Sequence, residues 1–298
     1  MEWRREALAW AKDRGWVTPI ETHEGPQSAP KPQQEAVAIE MGTGWEGATE
    51  GLRKVWDRVV TVDAERNKVR TKSTCKTVPD ILASFQTLKQ TKDSTIKWIR
   101  RKAGIRKGEV WAIWASPSCK PWSIANHLND NKPGAKRKRE EAMEEERFGG
   151  LQAVLTLLVE AWEEDSTIQF VLENPGQSAI QHLPEIQALG AGVVVQACSY
   201  GEVKSGKTYR IWMTKDTQAE FKPILPTDEE SECEECKAGR KHTQTKIPTP
   251  KEGRVQQRVS REGLTKAAVM NRLPPKLAEH LSRAMKTARE KLLNGKRE

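Results

Sequence analysis

A chain of 298 residues with 36% hydrophobic and 31% charged residues can bury a substantial core, so its composition excludes a wholly disordered protein. No apolar run approaches the roughly 18–20 residues that span a bilayer, and the first residues lack the charged-then-apolar pattern of a secretory signal. Five cysteines at irregular spacing disfavour a disulfide framework. We therefore expect an intracellular protein that does not bind membranes.

The net charge of +9 is unevenly distributed along the chain. From Arg240 to the last residue there are 16 Lys and Arg against 5 Asp and Glu, a balance of +11, so the first 239 residues sum to about −2. A basic segment beside a near-neutral remainder is typical of a surface that binds polyanions. It is equally typical of a solvated, partly disordered tail, and charge leaves both interpretations open.

In chain order, residues 1–34 read as a short helix followed by a linker rich in Pro and Gln. Strand-like and helix-like segments then alternate, which predicts an α/β fold whose mostly parallel sheet carries helices on both faces. The predicted strands are short apolar runs: Ala36–Glu40, Val59–Val62, Trp111–Ala115, Ile168–Leu172, Gly192–Ala197 and Tyr209–Met213. The predicted helices are Thr49–Val55, Ser94–Ala103, Ala135–Trp162 and Pro275–Leu293.

A glycine-rich segment follows the first predicted strand. Gly42 and Gly44 flank Thr43, and a helix and a second strand then lead to Asp63. Glycines at such a turn let the backbone approach a ligand closely. An acid about 20 residues further on is placed to accept hydrogen bonds from ribose hydroxyls. The segment therefore predicts a site for a nucleotide-like cofactor, although a tight structural turn would read similarly.

Two further segments end apolar strands with reactive groups. Cys119 leaves the strand ending at Ala115 within a loop rich in Pro and Ser, where open α/β sheets hold their active sites. Its neighbour Lys120 would favour the thiolate. Glu173 ends another apolar run, directly before Asn-Pro-Gly, and burial there would raise its pKa and suit it to donate a proton.

Taken together and in this order, these segments resemble the cytosine-C5 DNA methyltransferase family over roughly residues 36–290. The GTGWEG run is similar to the glycine motif that binds S-adenosylmethionine (AdoMet), SPSC to the nucleophile loop, and ENP to the family's Glu-Asn-Val motif. The SYGEVKSGKTYRIW run resembles the motif that ends in arginines, and VMNRLPP the closing segment. The chain has the character of a compact, divergent member.

The resemblance implies a Rossmann-like AdoMet-dependent methyltransferase fold and a covalent mechanism on DNA. It implies catalytic roles for Cys119, Glu173 and Arg210. The implied cofactor-binding residues are Gly42, Thr43, Gly44, Asp63, Asp80 and Asn271. It also implies a core domain over residues 35–214, a loop-rich insertion over 215–262 that serves as a small target-recognition region, and a closing helix over 263–298.

Some motif positions differ from the family pattern, since Ser118 stands where the family usually has Pro and only one clear Arg remains in the arginine motif. Two alternatives therefore stay open: a catalytically silent nucleic-acid-binding protein, and an enzyme that acts on RNA. Cys233, Cys236 and His242 offer three zinc-type ligands where a closed site wants four, so an acidic loop is the favoured interpretation. We expect a monomer that works in the nucleus of a eukaryotic host and otherwise in the cytoplasm.

Overall fold

Seven strands form one mixed sheet in the computed structural model, which describes residues 35–42, 47–63, 79–84, 88, 94–123, 131–200, 207–226, 238 and 273–295. The strands are β1 (Val37–Met41), β2 (Arg58–Asp63), β3 (Ile81–Leu82), β4 (Val110–Ala115), β5 (Gln169–Pro175), β6 (Val193–Gln196) and β7 (Thr208–Met213). Each strand predicted from the sequence is present, and the two-residue β3 adds to them.

The helices that the structure describes flank this sheet. They are α1 (Gly47–Leu52), α2 (Thr95–Ala103), α3 (Ala135–Glu146), α4 (Gln152–Glu164), α5 (Pro184–Gln187), α6 (Lys215–Phe221) and α7 (Pro275–Gly295). None of them combines the length and apolarity that a bilayer crossing requires. A π-helical turn, Arg147–Leu151, joins α3 to α4, and 3₁₀ turns cover Ala179–His182, Ala197–Tyr200 and Lys222–Ile224.

The strand order is β3-β2-β1-β4-β5-β7-β6. β1 pairs in parallel with both β2 and β4, β2 with β3, and β4 with β5, whereas β7 runs antiparallel to β5 and β6. The chain therefore leaves β1 for one side of the sheet and later returns to build the other side from β4. The carboxyl ends of β1, β2, β4 and β5 share one edge, and the switch point lies between β1 and β4.

Each face of the sheet packs against its own helices. Side chains of α2 and α4, such as Ile99 and Leu158, pack with Val60 and Phe170 on one face. On the other face α1, α6 and α7 cover a second cluster of buried residues, among them Leu52, Phe221 and Leu281. Because both faces are covered, the central strands are apolar along their whole length, which explains why they stand out in the sequence.

Two elements differ from the sequence-based expectations. The helix predicted as one segment over Ala135–Trp162 is broken by the π-helical turn, in which Gly150 makes room for the side chain of Glu146. Residues 215–221, which we expected to begin a loop-rich insertion, form α6. Thr214 caps α6 by accepting a hydrogen bond from the backbone N–H of Thr217, and Phe221 is fully buried.

Candidate active site

The loop that carries Cys119, residues 116–123, is fixed on its inner side by two hydrogen bonds to neighbouring strands. The backbone N–H of Ser116 donates to the carbonyl of Met41 at the end of β1 (2.9 Å). The side-chain amide of Asn174 in β5 donates to the carbonyl of Pro117 (3.2 Å). The loop is thus attached to the strands on both sides of β4, at the switch point of the sheet.

The outer part of this Cys119 loop is held by backbone bonds and by a buried indole. Trp122 is buried and its backbone N–H donates to the carbonyl of Cys119 (3.1 Å), while its own carbonyl accepts from Ala179 (3.0 Å). Cys119 itself is exposed. Cys119 is therefore not a buried structural cysteine, because it lies at the surface on a loop whose backbone is hydrogen-bonded to its neighbours.

Glu173 lies beside the Cys119 loop, one residue beyond the last paired position of β4 and β5. Its side chain is bonded to Ser116, whose hydroxyl oxygen in turn accepts from Nε1 of Trp114 (3.1 Å). Burial raises the pKa of Glu173 to about 6, against the lowering effects of Lys207 and Ser116. The raised pKa predicted from the sequence is confirmed, and the carboxyl group can hold a proton near neutral pH.

Cys119 and Glu173 are electrostatically coupled to each other and to Lys207. Partial loss of solvent around the sulfur raises the pKa of Cys119, and the negative charge of Glu173 raises it further. The positive charge of Lys207 lowers it. Burial lowers the pKa of Lys207, whereas Glu173 and Cys119 raise it. The three side chains therefore form one electrostatically coupled cluster at the carboxyl edge of the sheet.

Lys207 is a site residue to which the sequence analysis gave no catalytic role. It comes directly before β7, and its ammonium lies 4.6 Å from the ring centroid of Tyr209. Lys120 was expected to favour the thiolate, but the cation that lowers the pKa of Cys119 is Lys207. The sequence indicated only that Lys207 belongs to the SGKTYR segment. Its place near Cys119 depends on the antiparallel pairing of β5 and β7, which local sequence does not predict.

The structure describes both sides of the glycine turn at the predicted cofactor site, from β1 to Gly42 and from α1 to Asp63. Gly42 has a φ of 81°, a conformation that favours glycine, and its backbone N–H donates to Val62 (2.9 Å). The buried Glu40 accepts a 2.6 Å hydrogen bond from the Thr49 hydroxyl, which joins β1 to α1 across the turn. Asp63 ends β2 at the same edge.

Two predicted site residues are engaged elsewhere in this structure. The Asp80 carboxylate accepts hydrogen bonds from the backbone N–H and the hydroxyl of Thr61 (2.8 and 2.9 Å), which fastens β3 to β2. Arg210 pairs with Asn174, the residue after Glu173. Because successive strand residues point to opposite faces, the side chains of Arg210 and Glu173 lie on opposite faces of the sheet. Its guanidinium donates to the carbonyl of Ala191, before β6 begins, so the structure does not bring Arg210 to Cys119 and Glu173.

The remaining predicted site residues, Thr43, Gly44, Asn271, Cys233, Cys236 and His242, lie outside the described residues. Within the described ranges, no group of His, Cys, Asp and Glu side chains could hold a metal ion. Neither a protein-family model nor a curated protein matches the sequence. The chemical interpretation therefore rests on the cluster of Cys119, Glu173 and Lys207 and on the glycine turn beside it.

Proposed function

We propose that this protein is an AdoMet-dependent methyltransferase that transfers a methyl group to C5 of cytosine in DNA. The observation that carries the proposal is the coupling of the exposed Cys119 thiol to the buried Glu173 carboxyl group at the ends of neighbouring parallel strands. A nucleophile beside an acid whose pKa of about 6 lets it donate a proton near neutral pH suits attack on a heteroaromatic base.

The chemistry explains why these groups must meet. C5 of cytosine is a poor nucleophile until the ring is activated. Attack of the Cys119 thiolate on C6, with a proton held at N3 by Glu173, gives an enamine whose C5 can accept a methyl group. A base then removes the C5 proton, and the thiolate leaves from C6.

Charge coupling within the cluster supports this order of events. The negative charge of Glu173 disfavours ionisation of Cys119. While Glu173 keeps its proton and donates a hydrogen bond to N3, it is neutral, so that repulsion is absent and Lys207 still favours the thiolate. Binding of the base therefore prepares the thiol for attack, because the two acids do not hold their negative charges at the same time.

Two described features of the cofactor edge support AdoMet as the cofactor. Gly42 opens the turn with a positive φ, and Asp63 ends the adjacent strand where a ribose would lie. The cofactor supplies, when bound, a methyl group on a sulfonium. A seven-stranded, mostly parallel sheet with its switch point between β1 and β4 is compatible with the Rossmann-like fold of methyltransferases.

A DNA substrate has two consequences for this protein. A base stacked in a duplex cannot reach a thiol on a sheet edge, so the target cytosine must be flipped out. The basic segment from Arg240 onward supplies cations for phosphate contacts. We propose that the protein acts as a monomer inside the cell.

Labelled AdoMet, incubated with the protein and with DNA or RNA, tests the proposal. We expect label in DNA with the wild-type protein and none above background with Cys119→Ser. Transfer to RNA alone would instead support the RNA alternative. AdoMet and DNA binding without any transfer would support the silent binding protein.

A further inference from the structure

Glu146 is the point at which the exposed helix α3 contacts the Cys119 loop. None of the residues of α3 is fully buried, and its last residue, Glu146, is partly buried. Oε1 of Glu146 accepts a hydrogen bond from the backbone N–H of Ser118 (3.2 Å), the residue directly before the nucleophile. The charge of Glu146 also contributes to the raised pKa of Cys119, so the carboxylate lies near the thiol.

The π-helical turn provides the space for this contact. A Cβ on Gly150 would lie 2.2 Å from Oε1 and 2.8 Å from Cδ of Glu146, so any other residue at position 150 would displace the carboxylate. The turn itself is anchored by Arg147, which donates to both carboxylate oxygens of the buried Glu185 (2.5 and 2.9 Å). Single π-helical turns occur frequently at functional sites.

Holding a carboxylate here is unfavourable for the folded state. Burial raises the pKa of Glu146 to about 7, and the charge of Glu145 raises it further, although the bond from Ser118 acts in the opposite direction. A partly buried acid that has no cationic partner within the described part of the chain is costly. Its described contact is with the backbone that carries the nucleophile, which favours a role in the reaction over a role in stability.

We propose that Glu146 is a positioning residue that holds the Ser118–Cys119 backbone in the geometry for attack, and that Gly150 is required because it leaves room for that carboxylate. The inference rests on the proposed function for its catalytic consequence. The contact itself, between Glu146 and Ser118, is testable without any methyl transfer.

Amide hydrogen exchange of the peptide that covers residues 116–122 measures the contact directly. We compare the wild-type protein with Glu146→Ala, Glu146→Gln, Gly150→Ala and the double variant Glu146→Ala/Gly150→Ala. Loss of a charge-assisted bond should speed exchange of this peptide about tenfold in Glu146→Ala and in Gly150→Ala. Glu146→Gln keeps an acceptor oxygen and should stay close to the wild-type rate. Glu144→Gln, an exposed neighbour on α3, is the matched control and should match the wild type.

The double variant separates positioning from general damage. If Gly150 matters only because it accommodates Glu146, adding Gly150→Ala to Glu146→Ala should change neither the exchange rate nor the melting temperature further. In methyl transfer, Glu146→Ala and Gly150→Ala should lower kcat about tenfold or more and leave the KM for AdoMet unchanged. Glu146→Gln should recover most of kcat.

These outcomes keep the two proposals apart. Unchanged exchange in Glu146→Ala, additive effects in the double variant, or faster exchange with an unaltered kcat would each overturn the positioning role. If the wild-type protein transfers no methyl group at all, the proposed function fails. The exchange measurements then still decide whether Glu146 holds the loop.

Discussion

The burial of Glu173 makes the stability of the folded protein depend on pH. Glu173 as a whole residue is 9% exposed, and burial raises the pKa of its carboxyl group from 4.5 to about 6. A raised pKa means that the unfolded chain releases this proton at a lower pH than the folded protein does. The folded protein therefore has its full stability from this group below about pH 4.5 and loses part of it as the pH rises through 6.

Glu173→Gln removes this pH dependence. A rise in pKa from 4.5 to about 6 corresponds to about 2 kcal/mol. The free energy of unfolding of Glu173→Gln, relative to the wild type, should thus rise by up to about 2 kcal/mol between pH 4.5 and pH 7.5. Urea denaturation at both pH values measures this difference. A difference that does not change with pH would mean that Glu173 ionises normally in the folded protein.

Lys207 controls the ionisation of Cys119 in our account, and Lys120 does not. Lys207→Gln removes the cation that lowers the pKa of the thiol. Because a higher pKa leaves less of the reactive thiolate, alkylation of Cys119 by iodoacetamide at pH 7.5 should slow several-fold. Peptide mass spectrometry reads the modification at Cys119 itself. The matched variant Lys120→Gln should alkylate at the wild-type rate, and the reverse pattern would restore the sequence-based assignment.

At the scale of elements, the contact between α1 and α7 holds the helix that follows the glycine turn. A Cβ on Gly51 would lie 2.4 Å from the carbonyl oxygen of Pro275 and 2.6 Å from both the Cβ of Ala278 and the backbone nitrogen of Glu279. Two of these atoms belong to the backbone, so the helices would have to separate. The two helices approach this closely because position 51 carries no side chain.

Gly51→Ala should therefore destabilise the protein by about 1–3 kcal/mol, the usual cost of overpacking. Chemical denaturation measures the change in unfolding free energy. Gly104→Ala is a useful comparison, because its added Cβ would meet no atom within 4 Å and its positive φ is the main source of strain. Equal stability of Gly51→Ala and the wild type would show that α1 and α7 can separate freely.

The elements also show what sequence can and cannot predict. Strands such as Val110–Ala115 are recognisable because burial on both faces makes them continuously apolar. The strand Ile81–Leu82 is too short to leave such a pattern, and α6 has only seven residues. Cys119 and Glu173 were predictable because each follows an apolar run.

The contacts of Glu146 and Lys207 were not predictable from local sequence. Glu146 reaches Ser118 across 28 residues, and only because a π-helical turn leaves Gly150 beneath its carboxylate. Lys207 acts electrostatically on the thiol because β7 lies between β5 and β6, which brings its first residues to the carboxyl edge of the sheet. Arg210 shows the opposite case, since its motif suggested catalysis but the pleat of β7 directs it to Ala191.

At the scale of the whole molecule, the question is whether the basic segment after Arg240 binds DNA. Its residues lie largely outside the described ranges, so the expectation comes from charge. Each phosphate contact contributes about −0.9 to the slope of log affinity against log salt. Neutralising Arg254, Arg258, Arg261 and Lys266 should flatten that slope by up to about 3–4.

Fluorescence anisotropy with a labelled duplex over a salt series measures the slope. AdoMet affinity should not change in the quadruple variant, because the glycine turn lies elsewhere in the sequence. An unaltered slope would show that the segment is only a solvated surface. Phosphate contacts would then have to come from Lys120 and the cations between Lys132 and Arg139.

The central claim is that Cys119 of this protein drives methylation of cytosine at C5. Bisulfite sequencing of DNA from cells that express the wild-type protein or Cys119→Ser tests it most directly, because a methyl group at C5 protects cytosine from conversion. We predict protected cytosines with the wild-type protein and complete conversion with Cys119→Ser. Complete conversion in both, or equal protection in both, would contradict the account.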